Sequence, residues 1–171
     1  MRDYLRLIDT HTPGSRCDVT PLFADPKAFA ALVEDLVQPF EGQQIDRVAG
    51  IDALGFILGT AAALRLGTGF LPIRKGGKLP VQAEQIEFVD YSGECKTLEM
   101  RLGSIQPGER ILLVDDWIET GAQVQAAVTL IERQGGVIGG IAAINIDDNP
   151  GLCALMAQYF CHSVWLNMEE R

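Results

Sequence analysis

Basic residues and histidines are scarce in this 171-residue chain, and their scarcity argues against several classes of function. Fourteen lysines and arginines stand against 23 aspartates and glutamates, so the net charge is −9, and there are only two histidines. A protein that binds nucleic acid generally needs a basic surface to neutralise phosphates. The composition therefore disfavours a nucleic-acid-binding protein, and an anionic ligand would need a local cluster of basic side chains.

Paired cysteines and long apolar runs are also missing. The four cysteines form no CxxC pair and no metal-ligand spacing, so we expect reduced, metal-free thiols in a cytoplasmic protein. The apolar runs fall well short of the roughly 20 residues that a membrane helix needs. The N-terminus MRDYLRLIDT carries charges where a signal peptide would be apolar. We therefore expect neither a membrane partner nor a signal peptide.

The chain does contain alternating helix and strand patterns, and 47% of its residues are hydrophobic. Continuous apolar runs such as ILLV and IAAI are typical of strands buried on both faces, as in parallel sheets flanked by helices. We predict one α/β domain over residues 1–171, with a mostly parallel twisted sheet flanked by helices. The predicted helices cover 26–38, 54–66, 122–134 and 151–161, and the predicted strands cover 45–51, 69–75, 97–103, 109–116, 137–146 and 162–166.

One long segment, residues 76–94, has no sustained hydrophobic period and is rich in polar residues and glycine. A connection of this length is unusual in a compact domain unless it has a function. We therefore interpret residues 76–94 as a flexible lid.

The richest polar motifs follow the predicted strands. Ligands of open α/β sheets bind beyond the carboxyl ends of the strands, here just after residues 51, 75 and 114. The segment ILLVDDWIETGAQ (111–123) brings Asp115 and Asp116 to such an end, before the start of a helix. Backbone N–H groups at a helix start bind phosphate, and carboxylates bind ribose hydroxyls. The motif thus favours a ribose 5-phosphate ligand, although an acid pair that caps the helix remains the plain alternative.

A receiver domain of two-component signalling also has paired acids at a strand end. It requires a lysine later in the chain, and no lysine follows Lys96. That alternative is excluded.

Five segments resemble the type I phosphoribosyltransferases, and adenine phosphoribosyltransferases in particular. They occur in that family's order and spacing, over roughly residues 10–145: CDVTPLFADPKAF (17–29), VAGIDALGFILG (48–59), LPIRKGGKLP (71–80), EFVDYSGECKTLEM (87–100) and VDDWIETG (114–121). The resemblance implies the family's fold, with a small N-terminal hood and a lid, and a homodimer. It implies Mg²⁺-dependent transfer of a phosphoribosyl group from phosphoribosyl pyrophosphate to a purine, adenine first and a 6-oxopurine second.

The resemblance also implies roles for individual residues. Asp115 and Asp116 would bind the ribose hydroxyls, and Mg²⁺ would be held mainly by the substrate rather than by protein ligands. The 5-phosphate would be bound by Thr120, Gly121, Ala122 and Gln123. Pyrophosphate would be bound by Arg74, Lys75, Lys78 and the turn Ile51, Asp52 and Ala53. Either Glu119 or Asp90 would handle the proton of the base.

The chain departs from the family pattern at three sites. Cys17 and Leu54 stand where the family has arginines. In the phosphate loop, Glu119 stands where the family has alanine, and Gln123 stands where it has the hydroxyl that binds the 5-phosphate. Glu119 is open to three interpretations: a proton-handling acid as in hypoxanthine-guanine phosphoribosyltransferases, an adapted ligand contact, or structural drift. The lost guanidinium groups motivate an alternative function, a regulatory protein of this fold that binds phosphoribosyl pyrophosphate or a nucleotide without turnover.

Overall fold

The centre of the fold is a seven-stranded sheet, seen in a computed structural model that describes residues 2–13, 17–90 and 93–165. The strands are β1 (Arg47–Ile51), β2 (Gly69–Lys75), β3 (Ala83–Val89), β4 (Cys95–Arg101), β5 (Arg110–Ile118), β6 (Val137–Ile146) and β7 (Cys161–Ser163). Their spatial order is β3-β4-β2-β1-β5-β6-β7. Strands β2, β1, β5, β6 and β7 run parallel to one another, and β4 runs antiparallel to its two neighbours, β2 and β3. The expected mostly parallel sheet is confirmed.

Helices flank the sheet as the sequence predicts. Asp25 caps the second helix, since its Oδ1 accepts the N–H groups of Lys27 and Ala28 at 2.9 and 2.8 Å. The helix predicted over 151–161 is shorter, because a 3₁₀ turn precedes it and it ends at Gln158. The α-helices are α1 (Thr20–Ala24), α2 (Pro26–Val37), α3 (Leu54–Leu66), α4 (Ala122–Arg133) and α5 (Cys153–Gln158), and the 3₁₀ helices are Asp3–Leu7, Gln38–Phe40 and Pro150–Leu152.

Strand β5 is buried between two apolar layers, which explains its unbroken run of aliphatic residues. On one face Ile111 and Leu113 pack in a layer that includes α4. On the other face Leu112 and Val114 pack in a layer that includes α2 and α3. With helices on both faces, this strand is held rigidly and fixes the position of the residues at its carboxyl end.

Helix α3 lies unusually close to β1 and β5. A Cβ atom on Gly50 would come within 2.3 Å of the Gly55 carbonyl oxygen, and one on Gly55 would come within 2.9 Å of the Val114 carbonyl oxygen. Only glycine fits at these positions. The close approach brings the turn between β1 and α3 next to the end of β5.

Residues 76–94 include a strand that the sequence patterns do not predict. Strand β3 lies within them and pairs with β4 to form an antiparallel hairpin. Residues in β3 alternate between half-buried and exposed over much of its length, because one face of the hairpin is turned to the protein and the other to solvent. Flexibility of this hairpin stays a prediction, and Tyr91 lies outside the described residues.

The N-terminal segment packs against α2. Arg2 forms an ion pair with Asp35 at 2.7 Å, and the Tyr4 hydroxyl donates a 2.5 Å hydrogen bond to the same carboxylate. Ile8 contributes to the apolar layer beneath. The role of this segment as a hood over the site stays a prediction. Within the described ranges, no helix has the length and apolar character to cross a membrane.

Candidate active site

The carboxyl ends of β2, β1 and β5 meet at one edge of the sheet. In the register of these parallel strands, Ile51 lies opposite Ile73, and Gly50 lies opposite Val114. The N–H of Asp52 donates to the Ile73 carbonyl at 3.0 Å, and the peptide bond between Asp52 and Ala53 is cis. These strands carry the predicted pyrophosphate turn, the basic residues at the end of β2 and the acid pair of β5. The three groups are therefore neighbours, as the sequence predicts.

A cavity of about 650 Å³ opens between the β3–β4 hairpin and the loop that joins β5 to α4. Seven of the predicted site residues line it: Lys75, Asp90, Asp115, Glu119, Thr120, Gly121 and Gln123. The other predicted site residues do not line it: Asp116, Ala122, Arg74, Lys78, Ile51, Asp52 and Ala53. The cavity thus brings the predicted 5-phosphate loop and one edge of the predicted pyrophosphate site together.

Asp115 is almost completely buried, with 3% of its surface exposed. Its Oδ1 accepts the N–H of Asp116 at 3.0 Å, and its Oδ2 accepts the side-chain amide of Gln123 at 3.0 Å. Burial raises the pKa of Asp115 well above its ordinary value, and the adjacent charge of Asp116 raises it further. Strand β5 continues to Ile118, so the acid pair lies within the strand rather than at its end.

Gln123 has a different contact from the one that its place in the motif suggests. The family resemblance puts a phosphate-binding hydroxyl here, whereas the Gln123 amide donates to the buried carboxylate of Asp115. The phosphate loop therefore retains the Thr120 hydroxyl and the backbone N–H groups at the start of α4 as its anion donors.

Gly121 begins α4 in a left-handed conformation, with φ at +79°. A Cβ atom there would also come within 2.5 Å of the Leu152 side chain. Backbone conformation and close packing both require glycine, and together they fix the loop at the N-terminus of the helix. This end of the helix has its positive dipole pole at the cavity wall.

The basic residues lie at the end of β2 and on the tight turn that follows it. Arg74 is half-buried and its Nη1 donates to the Lys78 carbonyl at 2.9 Å, whereas Lys75 and Lys78 are exposed. The backbone N–H groups of Gly77, Lys78 and Leu79 all donate to the Glu99 carboxylate. Because these N–H groups face inward, an anion at this turn would be met by the lysine side chains.

Asp90 stabilises the turn at the tip of the hairpin. Its Oδ1 accepts the N–H of Glu94 at 3.1 Å, and its Oδ2 lies 3.9 Å from the Lys96 ammonium. Lys96 also pairs with Glu94. In this arrangement the Asp90 carboxylate is bound within its own turn, so it would have to leave these partners before it could contact a base.

Carboxylates outnumber lysines on the cavity wall. Asp90, Glu94, Asp115 and Glu119 face only Lys75 and Lys96. A polyanionic ligand would be repelled by such a wall unless a cation came with it. Within the described residues, no group of three or more His, Cys, Asp or Glu side chains could hold a metal ion. That Mg²⁺ is held mainly through the substrate stays a prediction.

The hairpin contributes a wall that the sequence motifs did not identify. Gln85, Phe88, Thr97 and Leu98 line the cavity from β3 and β4, and Trp117 lines it from β5. The alternating pattern of AEQIEFV was the available signal for β3. Trp117 is held by a 3.1 Å hydrogen bond to Asp147 and by edge-to-face packing on Trp165, with ring centroids 5.4 Å apart.

The two positions that lack the family's arginines lie against apolar surroundings. Cys17 and Leu54 are both partly buried against the layer that contains α2 and α3. Burial raises the pKa of the Cys17 thiol, with added contributions from Asp147 and Asp9. Apolar packing thus takes the place of the two guanidinium groups.

Comparison with known proteins agrees with this geometry. The family model of the phosphoribosyl transferase domain matches residues 22–150. An adenine phosphoribosyltransferase of Cereibacter sphaeroides is 44% identical over 146 residues, which cover 84% of this chain and 82% of that protein.

Two solved structures show the same fold. The adenine phosphoribosyltransferase of Rhodothermus marinus superposes with a TM-score of 0.83 at 36% identity and covers 95% of both chains. An adenine phosphoribosyltransferase of Trypanosoma brucei, in complex with AMP, pyrophosphate and ribose-5-phosphate, gives a TM-score of 0.71 at 25% identity. That match covers 85% of this chain and 66% of the other. With its cavity at the carboxyl edge of the sheet and its matched motifs, the chain belongs to the phosphoribosyltransferase family and is an enzyme of the type I class, similar to adenine phosphoribosyltransferases.

Proposed function

We propose that this enzyme transfers the 5-phosphoribosyl group of phosphoribosyl pyrophosphate to adenine and releases AMP and pyrophosphate. The observation that carries the proposal is the shared cavity, in which the α4 loop, the buried end of β5 and the lysine turn lie around one space. The ligands of the Trypanosoma brucei relative, AMP, pyrophosphate and ribose-5-phosphate, are the product set of this reaction and its sugar phosphate.

The substrate is held along the edge of the sheet. The Thr120 hydroxyl and the N–H groups at the start of α4 bind the 5-phosphate, and Asp115 and Asp116 bind the ribose hydroxyls. Lys75 and Lys78 bind the pyrophosphate. This arrangement orients the anomeric carbon towards a base in the cavity, and orientation of this kind supplies a large part of the rate enhancement in group transfer.

In the reaction the bond from the anomeric carbon to pyrophosphate breaks, and a bond to N9 of adenine forms while N9 loses its proton. The positive charge that develops on the sugar is stabilised by neighbouring carboxylates, and the leaving group by Lys75 and Lys78. Mg²⁺ bound to the pyrophosphate oxygens would supply further charge neutralisation there. The acid-rich cavity wall supports the requirement for Mg²⁺. The hairpin would exclude water, which would otherwise attack the same carbon.

Glu119 is the better candidate for receiving the proton. It lies on the cavity wall directly before Thr120 and Gly121 of the predicted phosphate loop, where the sugar and the base would meet. We expect Glu119→Gln to lower kcat by about 10²- to 10⁴-fold, the usual range for general acid–base catalysis. Asp90→Asn should have the smaller effect on kcat, and a larger effect of Asp90→Asn would assign the role to Asp90.

The test of the function is pyrophosphate release. Purified protein receives Mg²⁺, phosphoribosyl pyrophosphate and one base at a time: adenine, hypoxanthine, guanine, xanthine or uracil. We expect release with adenine, formation of AMP in equal amount, and loss of both when EDTA removes Mg²⁺. The double variant Asp115→Asn/Asp116→Asn should be inactive, while Asp148→Asn, a change at an exposed acid, should retain activity.

Two other outcomes would revise the proposal. Release with hypoxanthine or guanine but not with adenine would make the acceptor a 6-oxopurine. Absence of release with every base would contradict a transferase with these acceptors.

We further propose that the enzyme is a cytoplasmic homodimer. Reduced thiols persist in the cytoplasm, and Cys17, Cys95, Cys153 and Cys161 are all free. Helix α3 exposes two large apolar side chains, Ile57 at 42% and Leu64 at 78% of their surface. Light scattering should give a mass of two 18.6 kDa chains, and a mass of one chain would contradict the dimer.

A further inference from the structure

Glu99 is a buried acid outside the predicted site. It lies in β4 between Leu98 and Met100, and only 2% of its surface is exposed. A carboxylate in an apolar interior is strongly destabilising unless hydrogen-bond donors surround it. Its presence between two buried apolar residues therefore calls for specific partners.

Four donors converge on this carboxylate. Oε1 accepts the backbone N–H groups of Lys78 and Leu79, each at 2.6 Å. Oε2 accepts the N–H of Gly77 and the side-chain amide of Gln85, each at 3.0 Å. Although burial opposes ionisation, these bonds outweigh it and lower the pKa of Glu99, so the side chain is charged at neutral pH.

The turn that Glu99 holds is the one that carries the lysines. Lys75 precedes it and Lys78 lies within it, and both side chains are exposed. Arg74, directly opposite Glu99 in the β2–β4 pairing, closes the turn by donating to the Lys78 carbonyl. Three consecutive N–H groups are thus directed inward to Glu99, which leaves the lysine side chains as the outward-facing donors.

The fourth donor, the side-chain amide of Gln85, connects the hairpin strand β3 to the Glu99 carboxylate. Gln85 belongs to β3 and lines the cavity, as Gly76 and Gly77 do from the turn. One carboxylate in β4 therefore fixes both the lysine turn and the adjacent strand of the hairpin, on the side of the cavity opposite the α4 loop.

We propose that Glu99 is a positioning residue for the leaving group, because it fixes the turn that presents Lys75 and Lys78 to pyrophosphate. The pyrophosphate part of this inference rests on the proposed function. Glu99 does not contact pyrophosphate itself. Its negative charge is compensated by four hydrogen-bond donors, so it acts on pyrophosphate only through the turn that it holds.

The test is Glu99→Gln, which keeps the shape of the side chain but replaces one acceptor oxygen with an amide donor. Losing charge-assisted hydrogen bonds at the turn should raise the Kd for Mg²⁺-pyrophosphate and the KM for phosphoribosyl pyrophosphate by about tenfold. The KM for adenine should change less than about twofold, because adenine binding does not use the turn. The matched control is Glu87→Gln, an exposed acid on the same hairpin, which should leave all three constants unchanged.

Calorimetric titration with Mg²⁺-pyrophosphate separates this inference from the proposed function, because it needs no turnover. A second variant, Lys78→Gln, tests the route of action. In the Glu99→Gln background it should weaken pyrophosphate binding far less than in the native chain. If Glu99→Gln folds poorly, Gln85→Ala removes a single donor and should raise the pyrophosphate Kd in the same direction.

Three results would overturn the role of Glu99. If Glu99→Gln weakened the binding of adenine as much as the binding of pyrophosphate, its role would be generally structural. Full additivity with Lys78→Gln would show that Glu99 does not act through the turn. No binding of Mg²⁺-pyrophosphate to the native chain would remove the basis of the inference, whereas binding without base-dependent release would contradict only the proposed function.

Discussion

Asp115 and Asp116 are adjacent although both are acids, and this arrangement disfavours the ionised form of Asp115. Asp115 is buried and its pKa is raised by burial and then by the charge of Asp116. Like charges held together in a protein interior lower its stability, and such arrangements are typical of functional sites. The pair is expected to be useful only when ribose hydroxyls and a cation are present to share the negative charge.

The raised pKa of Asp115 predicts how stability depends on pH. Below about pH 3, Asp115 is mostly protonated in both the folded and the unfolded chain. As the pH rises, the unfolded chain releases this proton first, so this residue's contribution to folding stability falls between about pH 4 and the higher pKa of the folded state.

Asp116→Asn should reduce that loss, because it removes the neighbouring charge. At pH 8 we expect the variant to be more stable than the native chain by roughly 1 kcal/mol, or about 2–4 °C in Tm. The difference should become small near pH 3, and the exposed control Asp148→Asn should show no such trend. Thermal unfolding across this pH range measures the effect. An equal difference in Tm between the variant and the native chain at low pH and at pH 8 would show that the charge of Asp116 does not destabilise Asp115.

Gln123 partly offsets the free-energy penalty of burying the Asp115 carboxylate, because its side-chain amide donates a hydrogen bond to it. Gln123→Ala would remove this donor and leave the carboxylate with less compensation, so the free energy of unfolding at pH 7 should fall by about 1–3 kcal/mol. Gln125→Ala, at an exposed position on the same helix, should change it by less than about 0.5 kcal/mol. Urea denaturation of both variants measures the difference. Equal losses of unfolding free energy would show that the hydrogen bond from Gln123 to Asp115 does not stabilise the fold.

At the scale of elements, the site depends on how closely α3 approaches the sheet. A Cβ on Gly50 would meet the Gly55 carbonyl oxygen at 2.3 Å and the Phe70 ring at 2.9 Å. Gly50→Ala should therefore push α3 away from β1 and displace the Ile51–Ala53 turn, at a cost of about 1–3 kcal/mol in unfolding free energy.

Gly69→Ala is the matched control, because its Cβ would have no heavy atom closer than 3.9 Å. Chemical denaturation should find the control close to the native chain in stability. A Gly50→Ala variant as stable as the control would show that α3 can move without penalty.

The helices and the central strands could be predicted from the sequence because their patterns are local. Asp25 and Pro26 mark the start of α2, and the apolar run of β5 indicates burial on both faces. Strand β3 was missed because the alternation in AEQIEFV is short and interrupted, and its pairing with β4 is a contact that a single segment does not show.

The same distinction applies to the site. The motif VDDWIETG indicated the acid pair and the phosphate loop, whereas the hairpin wall and Glu99 depend on strands brought together in space. Glu99 had one sequence signal, an acid between the apolar residues Leu98 and Met100 in a predicted strand. The Gln123–Asp115 contact also could not be predicted, because the motif assigns that position to the phosphate.

For the whole molecule, ligand binding should appear as added stability. A ligand that binds only the folded state at about 100 times its Kd adds roughly 2.7 kcal/mol. For a chain of this size that corresponds to a Tm increase of roughly 5–10 °C. Phosphoribosyl pyrophosphate with Mg²⁺ should produce this shift, and ribose without phosphate should not. No shift with either would contradict the binding site.

The most direct test of the account is a crystal structure of the enzyme with phosphoribosyl pyrophosphate and Mg²⁺. The account predicts the 5-phosphate at Thr120 and the N-terminus of α4, the ribose hydroxyls at Asp115 and Asp116, and the pyrophosphate at Lys75 and Lys78, with Mg²⁺ on ligand oxygens. A substrate bound outside the cavity between the hairpin and the α4 loop, or bound in it with the pyrophosphate away from the lysine turn, would contradict the account.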